Sequence, residues 1–202
     1  MKRFFLATTA LVVLALAAFR LAEVLPIGAT LPKADVKMKD ISGKELALSG
    51  ITGKNGLLVM FSCNTCPYVI KNEERTVAIC TYARQHNLGV VLINSNEAYR
   101  DGDDSYEAMK KYAAEKKYNW PYILDKNSII ADAFGANRTP ECFLFDKNQK
   151  LVYHGAIDDN PSDASAVTRQ HLQEAIKELV EGKDIAVKES RSVGCTIKRI
   201  KG

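Results

Sequence analysis

Histidine is scarce in this chain: His86, His154 and His171 are scattered along 202 residues. That bears on the cysteines. A four-ligand zinc site built on Cys63 and Cys66 needs a second Cys or His pair at short spacing, yet Cys80, Cys142 and Cys195 stand isolated. Net charge is also small, +4, or +2 if Lys2 and Arg3 leave with a leader. This is too little to argue for nucleic acid or an anionic membrane surface as partner. The basic run Lys198-Arg199-Ile200-Lys201 reads as a solvated terminus. No internal repeat or low-complexity segment is found, and the leader contains no cysteine that could carry a lipid. The mostly apolar stretch Phe4 to Phe19 includes Thr8 and Thr9 and falls short of the roughly 20 residues that a spanning helix needs.

What is present begins with Lys2-Arg3 ahead of that apolar stretch and Ala15-Leu16-Ala17 near its end, the layout of an export leader. Residues 1–25 are therefore assigned as a signal peptide, or as an N-terminal anchor if uncleaved. The expected location is periplasmic or otherwise extracytoplasmic, with the membrane touched only through an uncleaved leader. Residues 26–190 are expected to form one domain and residues 191–202 a cysteine-containing tail. A domain of this length buries a core without disulfide staples, so its cysteines ask for a chemical explanation.

The segment Gly56-Leu57-Leu58-Val59-Met60-Phe61 runs directly into Cys63-Asn64-Thr65-Cys66-Pro67. A buried strand followed by a helix opened by Pro67 places two thiols near a helix N-terminus, where unpaired N–H groups and the macrodipole favour a thiolate. The other readings are half a zinc site and a structural bridge, and a bridge closing so short a loop restrains the unfolded chain little.

Short alternating runs at Asp35 to Met38 and Leu46 to Leu48 flank Ser42-Gly43-Lys44, predicting a hairpin before the core strand. Pro67 to about His86 reads as a helix with Ile70, Val77 and Cys80 on its stripe and Val69 and Ala83 nearby. Leu88 to Asn94 is a continuous apolar run, predicting a strand covered on both faces. A helix from about Asp104 to Lys117 follows, with Asp103, Asp104 and Ser105 as candidate caps. Then come a strand at Pro121 to Leu124, a brief helix capped by Asn127-Ser128 and ending at Gly135, and a hairpin of Glu141 to Phe145 with Lys150 to Tyr153. A last helix is expected from Val167 to Glu181, stopped by Gly182. This order implies an α/β fold with a central mixed sheet, helices on both faces and an N-terminal β-hairpin extension.

The chain from about Ala29 to Gly202 resembles the thioredoxin-like superfamily. More narrowly it is similar to the peroxiredoxin-like branch of the redoxin group, the alkyl hydroperoxide reductase and thiol-specific antioxidant family, here with a Cys-x-x-Cys site. Four segments carry the resemblance: Phe61 to Val69, Ile93-Asn94-Ser95-Asn96, Arg138 to Asp146, and Gly194-Cys195-Thr196-Ile197-Lys198. It implies a thioredoxin-like fold in which Pro140 is a cis proline facing the dithiol, against the ordinary reading of a trans proline in a turn. Thr139 and Pro140 would then face substrate, their backbone pairing with a disulfide-bearing polypeptide as one more strand. Two departures stand out. Ser62 replaces the Trp common before the first cysteine of thioredoxins, and the strand Leu57 to Phe61 lacks their buried acid. True peroxiredoxins carry Pro-x-x-x-Thr-x-x-Cys; Cys66 aligns with their peroxide-attacking cysteine and Cys63 replaces the threonine.

The leading functional reading is a thiol-disulfide oxidoreductase in which Cys63, on the more exposed lip, attacks and Cys66 resolves. Its partners would be protein or small-molecule disulfides and an extracytoplasmic thiol electron donor. The alternative is a peroxide-reducing antioxidant in which Cys66 becomes a sulfenic acid and condenses with Cys63 or Cys195, with Arg138 as candidate stabiliser of the thiolate. A third reading, a Cu(I) metallochaperone, lacks the three-residue cysteine spacing and extra histidine of copper-delivery relatives. No organic cofactor and no metal are implied. Cys80 and Cys142 read as buried hydrophobes, whereas Cys195, in a polar segment without strand or helix pattern, is a candidate third redox cysteine. Asn94 and Asn96 read as turn caps, and His154 and His171 as surface histidines without a neighbouring acid at motif spacing.

Overall fold

The structure, a computed structural model, describes residues 23–200. Of the expected export signal at residues 1–25, residues 1–22 lie outside the described residues. Among the described residues no helix is long and apolar enough to cross a membrane.

The predicted N-terminal hairpin is β1 (Met38–Lys39) with β2 (Glu45–Leu46), Met38 lying opposite Leu46. Leu48, expected in its second strand, instead opens α1 (Leu48–Ile51) and packs wholly buried against the sheet. Next come β3 (Gly56–Ser62), α2 (Pro67–Lys71) and α3 (Glu73–Gln85). The sequence reads the last two as one helix. They are separated at Asn72, whose backbone leaves the helical region (φ −97°, ψ 6°) while its side-chain amide donates to the Tyr68 and Pro161 carbonyls at 2.7 and 2.9 Å. The break resets the helical phase: Ile70, expected on the core stripe, is 53% exposed, while Ile79, Cys80 and Ala83 turn inward.

The chain continues through β4 (Leu88–Asn94), α4 (Tyr106–Glu115), β5 (Tyr122–Leu124) and α5 (Ile129–Phe134). Ser105 caps α4, its hydroxyl accepting the Ala108 N–H at 3.3 Å. The Asp125 carboxylate, not the expected Asn127-Ser128, takes the first amides of α5, with Ile130 and Ala131 donating at 3.0 Å each. Then follow β6 (Arg138–Thr139), the hairpin of β7 (Glu141–Asp146) with β8 (Leu151–Gly155), α6 (His171–Val180) and β9 (Cys195–Thr196). The expected first turn of α6, from Val167 to Gln170, is irregular, and a separate 3-10 turn precedes it at Ala164–Ala166.

The main sheet has the order β5-β4-β3-β7-β8, with β3-β4 and β4-β5 parallel and the other pairs antiparallel. Strand alternation divides its side chains between two cores. Leu58, Met60, Val90, Leu92 and Leu144 face Ile79, Met109 and Ile176 of α3, α4 and α6. Leu57, Val59, Phe61, Val91, Ile93 and Phe143 face Leu48 of α1 and Phe134 of α5. Phe61 meets Phe134 and Phe143 edge-on at 5.4 and 5.6 Å, and burying each such ring contributes about 1.5–3 kcal/mol. The two faces thus clamp β3 at the centre, and its carboxyl end opens where the parallel half of the sheet meets the antiparallel half. Open α/β sheets place their chemistry at such a point.

Candidate active site

The chain leaves β3 at Ser62, paired with Asn94 of β4, and turns through Cys63-Asn64-Thr65-Cys66 before Pro67 starts α2. One buried carboxylate fixes this turn. Asp104, with 0% exposure, accepts the Asn64 N–H at 2.8 Å, Asn94 Nδ2 at 2.7 Å and Asn96 Nδ2 at 2.9 Å, with the Thr65 hydroxyl at 3.4 Å. Arg100 braces the same loop from behind, donating to the Asp104 carbonyl at 2.7 Å and the Asn94 carbonyl at 2.9 Å. Tyr122 donates its hydroxyl to Asn64 Oδ1 at 2.9 Å.

Thr139 and Pro140 stand against the thiols across a cis peptide bond. The Cys63 sulfur lies 3.4 Å from the Thr139 hydroxyl, and the Cys66 sulfur 3.1 Å from the Thr139 carbonyl oxygen. That second contact is a hydrogen bond only while Cys66 keeps its proton. The Thr139-Pro140 turn is itself held by Glu141, whose Oε2 accepts the Asn137 and Arg138 amides at 2.9 Å each, while Oε1 meets His154 Nε2 at 2.8 Å.

The two thiols divide one proton between them. The Cys66 thiol is lowered to about 4, chiefly because the Cys63 S–H faces it; burial opposes this, and Cys195 lowers it further. The Val69 amide of α2 points towards the same sulfur without closing a full cap. The Cys63 thiol is pushed well above its ordinary value by holding its proton towards Cys66, by burial and by the Asp104 charge. The pair thus holds one proton between two sulfurs, a thiolate facing a thiol. The exposed lip expected for Cys63 is absent, since Cys63 is 1% exposed and Cys66 3%.

The cover is the segment after α6. Cys195, expected in a pattern-free tail, lies in β9, which pairs antiparallel with β6 so that Arg138 faces Thr196 and Thr139 faces Cys195. Its half-buried thiol packs on the cluster of Cys63, Cys66 and Val69, and is raised to about 11 by burial and by the neighbouring Cys66. A side chain at Gly194 would run into the Thr139 carbonyl, so only glycine lets this backbone approach so closely. The Ile197 amide donates to the Asn137 carbonyl at 3.0 Å, Lys198 N–H to Asn96 Oδ1 at 2.8 Å, and Ala98 N–H to the Lys198 carbonyl at 2.8 Å. Lys198 and Arg199, expected in a solvated terminus, are thus tied down, Arg199 to Asp132 and the Ala136 carbonyl at 2.7 Å each.

Of the residues singled out from the sequence, Cys63, Cys66, Thr139, Pro140 and Cys195 come together. Arg138 does not join the sulfurs: it is exposed, and its guanidinium donates to the Gly194 carbonyl at 3.2 Å. Cys80 and Cys142 are fully buried in the core, where burial pushes both thiols up. His154, expected as a lone surface histidine, is paired with Glu141 across the β7-β8 hairpin. Asp104, Asn94, Asn96, Arg100 and Glu141 belong to the site although the sequence does not mark them as such. Asp104 and the asparagines read there as caps, and only the Asn94-x-Asn96 spacing at a strand end hints at more. Among the described residues no three His, Cys, Asp or Glu side chains are placed to hold a metal ion.

Comparison with known proteins agrees with this architecture. Residues 27–154 match the AhpC/TSA family. The crystal structure of an uncharacterized conserved protein from Geobacillus kaustophilus is 32% identical with a TM-score of 0.81, covering 88% of this chain and 94% of that one. A hypothetical protein from Sinorhizobium meliloti 1021 is likewise 32% identical with a TM-score of 0.81, covering 89% of this chain and 98% of its own. A secreted Mycobacterium tuberculosis disulfide oxidoreductase homologous to E. coli DsbE shares the fold at 12% identity, with a TM-score of 0.54 over 74% of this chain and 97% of that one. No curated protein matches the chain.

Proposed function

Because the chain belongs to the AhpC/TSA family of thioredoxin-like redoxins, we propose that it is a thiol-disulfide oxidoreductase working through Cys63 and Cys66 outside the cytoplasm. The observation that carries the proposal is the thiol pair itself, one sulfur ionised and one protonated, set side by side against Thr139 and cis Pro140. The Cys66 thiolate attacks one sulfur of a disulfide and expels the other as a thiolate, leaving a mixed disulfide. Cys63 then gives up its proton to a departing sulfur and attacks Cys66, releasing the second thiol. The products are a Cys63–Cys66 disulfide and two substrate thiols, and an extracytoplasmic thiol donor returns the two electrons. The sequence reading has Cys63 attacking and Cys66 resolving; the lowering of the Cys66 thiol supports the opposite order within this proposal. Thr139 and Pro140, expected to face substrate, stand against the two thiols on the edge that β9 occupies, and export rests on the leader pattern at residues 1–25.

A second reading has a specific observation in its favour. Cys66, the sulfur kept ionised at about 4, is the one aligned with the peroxide-attacking position. Its attack on a peroxide would give a sulfenic acid and an alcohol or water, and condensation with the Cys63 thiol would give the same disulfide plus water. The test compares the fully reduced, leaderless protein with hydrogen peroxide and with a protein disulfide, mapping the oxidised cysteines in each. Rapid exchange with the disulfide, slow peroxide consumption and a Cys63–Cys66 product are expected. Fast peroxide consumption through a Cys66 sulfenic acid would make it a peroxidase, and loss of neither thiol would defeat both readings.

A further inference from the structure

The Cys63–Cys66 pair is closed to an external disulfide by the chain itself. Both sulfurs are nearly without exposure, and the backbone beside Thr139 is already occupied by β9. The covering segment is not loosely laid: β6, Asn96, Asn137, Asp132 and Ala136 all hold it, and Gly194 lets it sit in backbone contact with Thr139. The sulfur on this segment is opposite Thr139, whose carbonyl oxygen is 3.1 Å from Cys66, and it packs against the buried pair. It is also the one member of the three that reaches solvent. Cys195 packs on the buried Cys63 and Cys66 cluster, and the Cys66 thiol is lowered by both of its cysteine neighbours.

Resting on the oxidoreductase reading, we infer that Cys195 is a gateway thiol that exchanges with the external disulfide and hands the exchange inward to Cys66, with the tail strand staying in place. Cys195 attacks one sulfur of the external disulfide, its proton passing to the facing Cys66 sulfur. The first external sulfur leaves as a thiolate and takes that proton, leaving Cys66 ionised again. Cys66 attacks the Cys195 sulfur of the mixed disulfide and expels the second external sulfur, giving a Cys66–Cys195 disulfide. Cys63 attacks Cys66, its proton going to the departing Cys195 sulfur. In sum one external disulfide and the Cys63–Cys66 dithiol become two external thiols and a Cys63–Cys66 disulfide. Two electrons move inward to outward, and Cys195 ends as it began. The same steps reversed let an external dithiol recharge the pair.

The test uses the reduced leaderless chain with insulin as the disulfide probe, following thiol loss and mapping the bridges by mass spectrometry. Wild type is expected to reduce insulin and accumulate Cys63–Cys66; failure of this control refutes the underlying oxidoreductase reading rather than the gateway. Cys195→Ser is expected to slow the reaction by at least about tenfold, since the buried thiolate then has no accessible partner. Cys63→Ser is expected to stop at a Cys66–Cys195 disulfide, and Cys66→Ser to accumulate an insulin adduct on Cys195. Unchanged or faster reaction of Cys195→Ser, with wild type active, overturns the gateway and leaves the strand as a cover that swings aside. Adducts found on Cys66 in Cys63→Ser with Cys195 untouched overturn it independently, even if Cys195→Ser folds poorly.

Discussion

Replacing Asp104 with alanine removes the acceptor on which three donors converge, the part-buried Asn64 amide at 2.8 Å and the buried Asn94 Nδ2 at 2.7 Å and Asn96 Nδ2 at 2.9 Å. A hydrogen bond to a charged group contributes about 1.5–3 kcal/mol, but the loss is not the simple sum. Asn94 Nδ2 keeps the Tyr122 hydroxyl at 3.1 Å, so two donors are left bare, at about 1–3 kcal/mol each. Against this, the wholly buried carboxylate has surrendered its hydration, and deleting it recovers part of a penalty of about several kcal/mol. The balance is about 3 kcal/mol of lost stability. With a urea slope of about 2 kcal/mol/M, the midpoint should fall by about 1.5 M. Thr65→Ala is the control: its hydroxyl reaches Asp104 at only 3.4 Å from a part-buried position, and its midpoint should move by less than about 0.3 M. Asp104→Asn, which keeps the shape and drops the charge, supplies a readout that packing alone does not move. The Asp104 charge helps hold the Cys63 thiol up, so its ionisation, followed by thiolate absorbance, should shift to lower pH. An alanine variant unfolding within about 0.3 M of wild type, or a Cys63 step moving upward in Asp104→Asn, refutes the reasoning.

Three further outcomes are expected. Thiolate absorbance of the reduced protein should show a first step near 4; Cys63→Ala, which removes its largest cause, should move that step up towards the ordinary thiol range near 8.5, so thiolate at about pH 6 is lost in the variant and kept in wild type. Glu141→Gln sets an amide where Glu141 now receives the Asn137 and Arg138 amides and meets His154; a loss of about 2 kcal/mol should lower Tm by about 4–8 °C by calorimetry, and no change would show that the carboxylate is dispensable to the turn. Ile70→Gln, at a position 53% exposed, should leave the urea midpoint within about 0.3 M of wild type, whereas a large drop would restore Ile70 to the core stripe the sequence assigns it.

The parts of the molecule governed by local pattern are legible in the residues themselves. Leu88 to Asn94 forms β4 residue for residue, because a strand buried on both faces leaves a continuous apolar run. The hairpin around Asp146 to Gln149 and the strand entering Cys63 are legible on the same ground. Features set by contacts between distant segments are not. The interruption of the dithiol helix at Asn72 depends on a carbonyl supplied by Pro161, and nothing in the helical periodicity announces it. Asp104 looks like one of three cap candidates in the sequence, yet the cap is Ser105 and the carboxylate is turned inward to asparagines on another element. The two residues of β9 are too few to show a period, so the strand is visible only once its partner β6 is placed.

Order of synthesis gives the tail strand a further meaning. The cysteine pair, the cis proline and the main sheet all lie before residue 156, whereas the strand that seals them begins at Cys195. At roughly 5–20 residues per second, about 2–8 s separate the making of Gly155 from that of Cys195. The segment that covers Cys63 and Cys66 is thus the last element of the described chain to be made, and a chain cut short of Gly194 would keep every strand of the main sheet while lacking its cover.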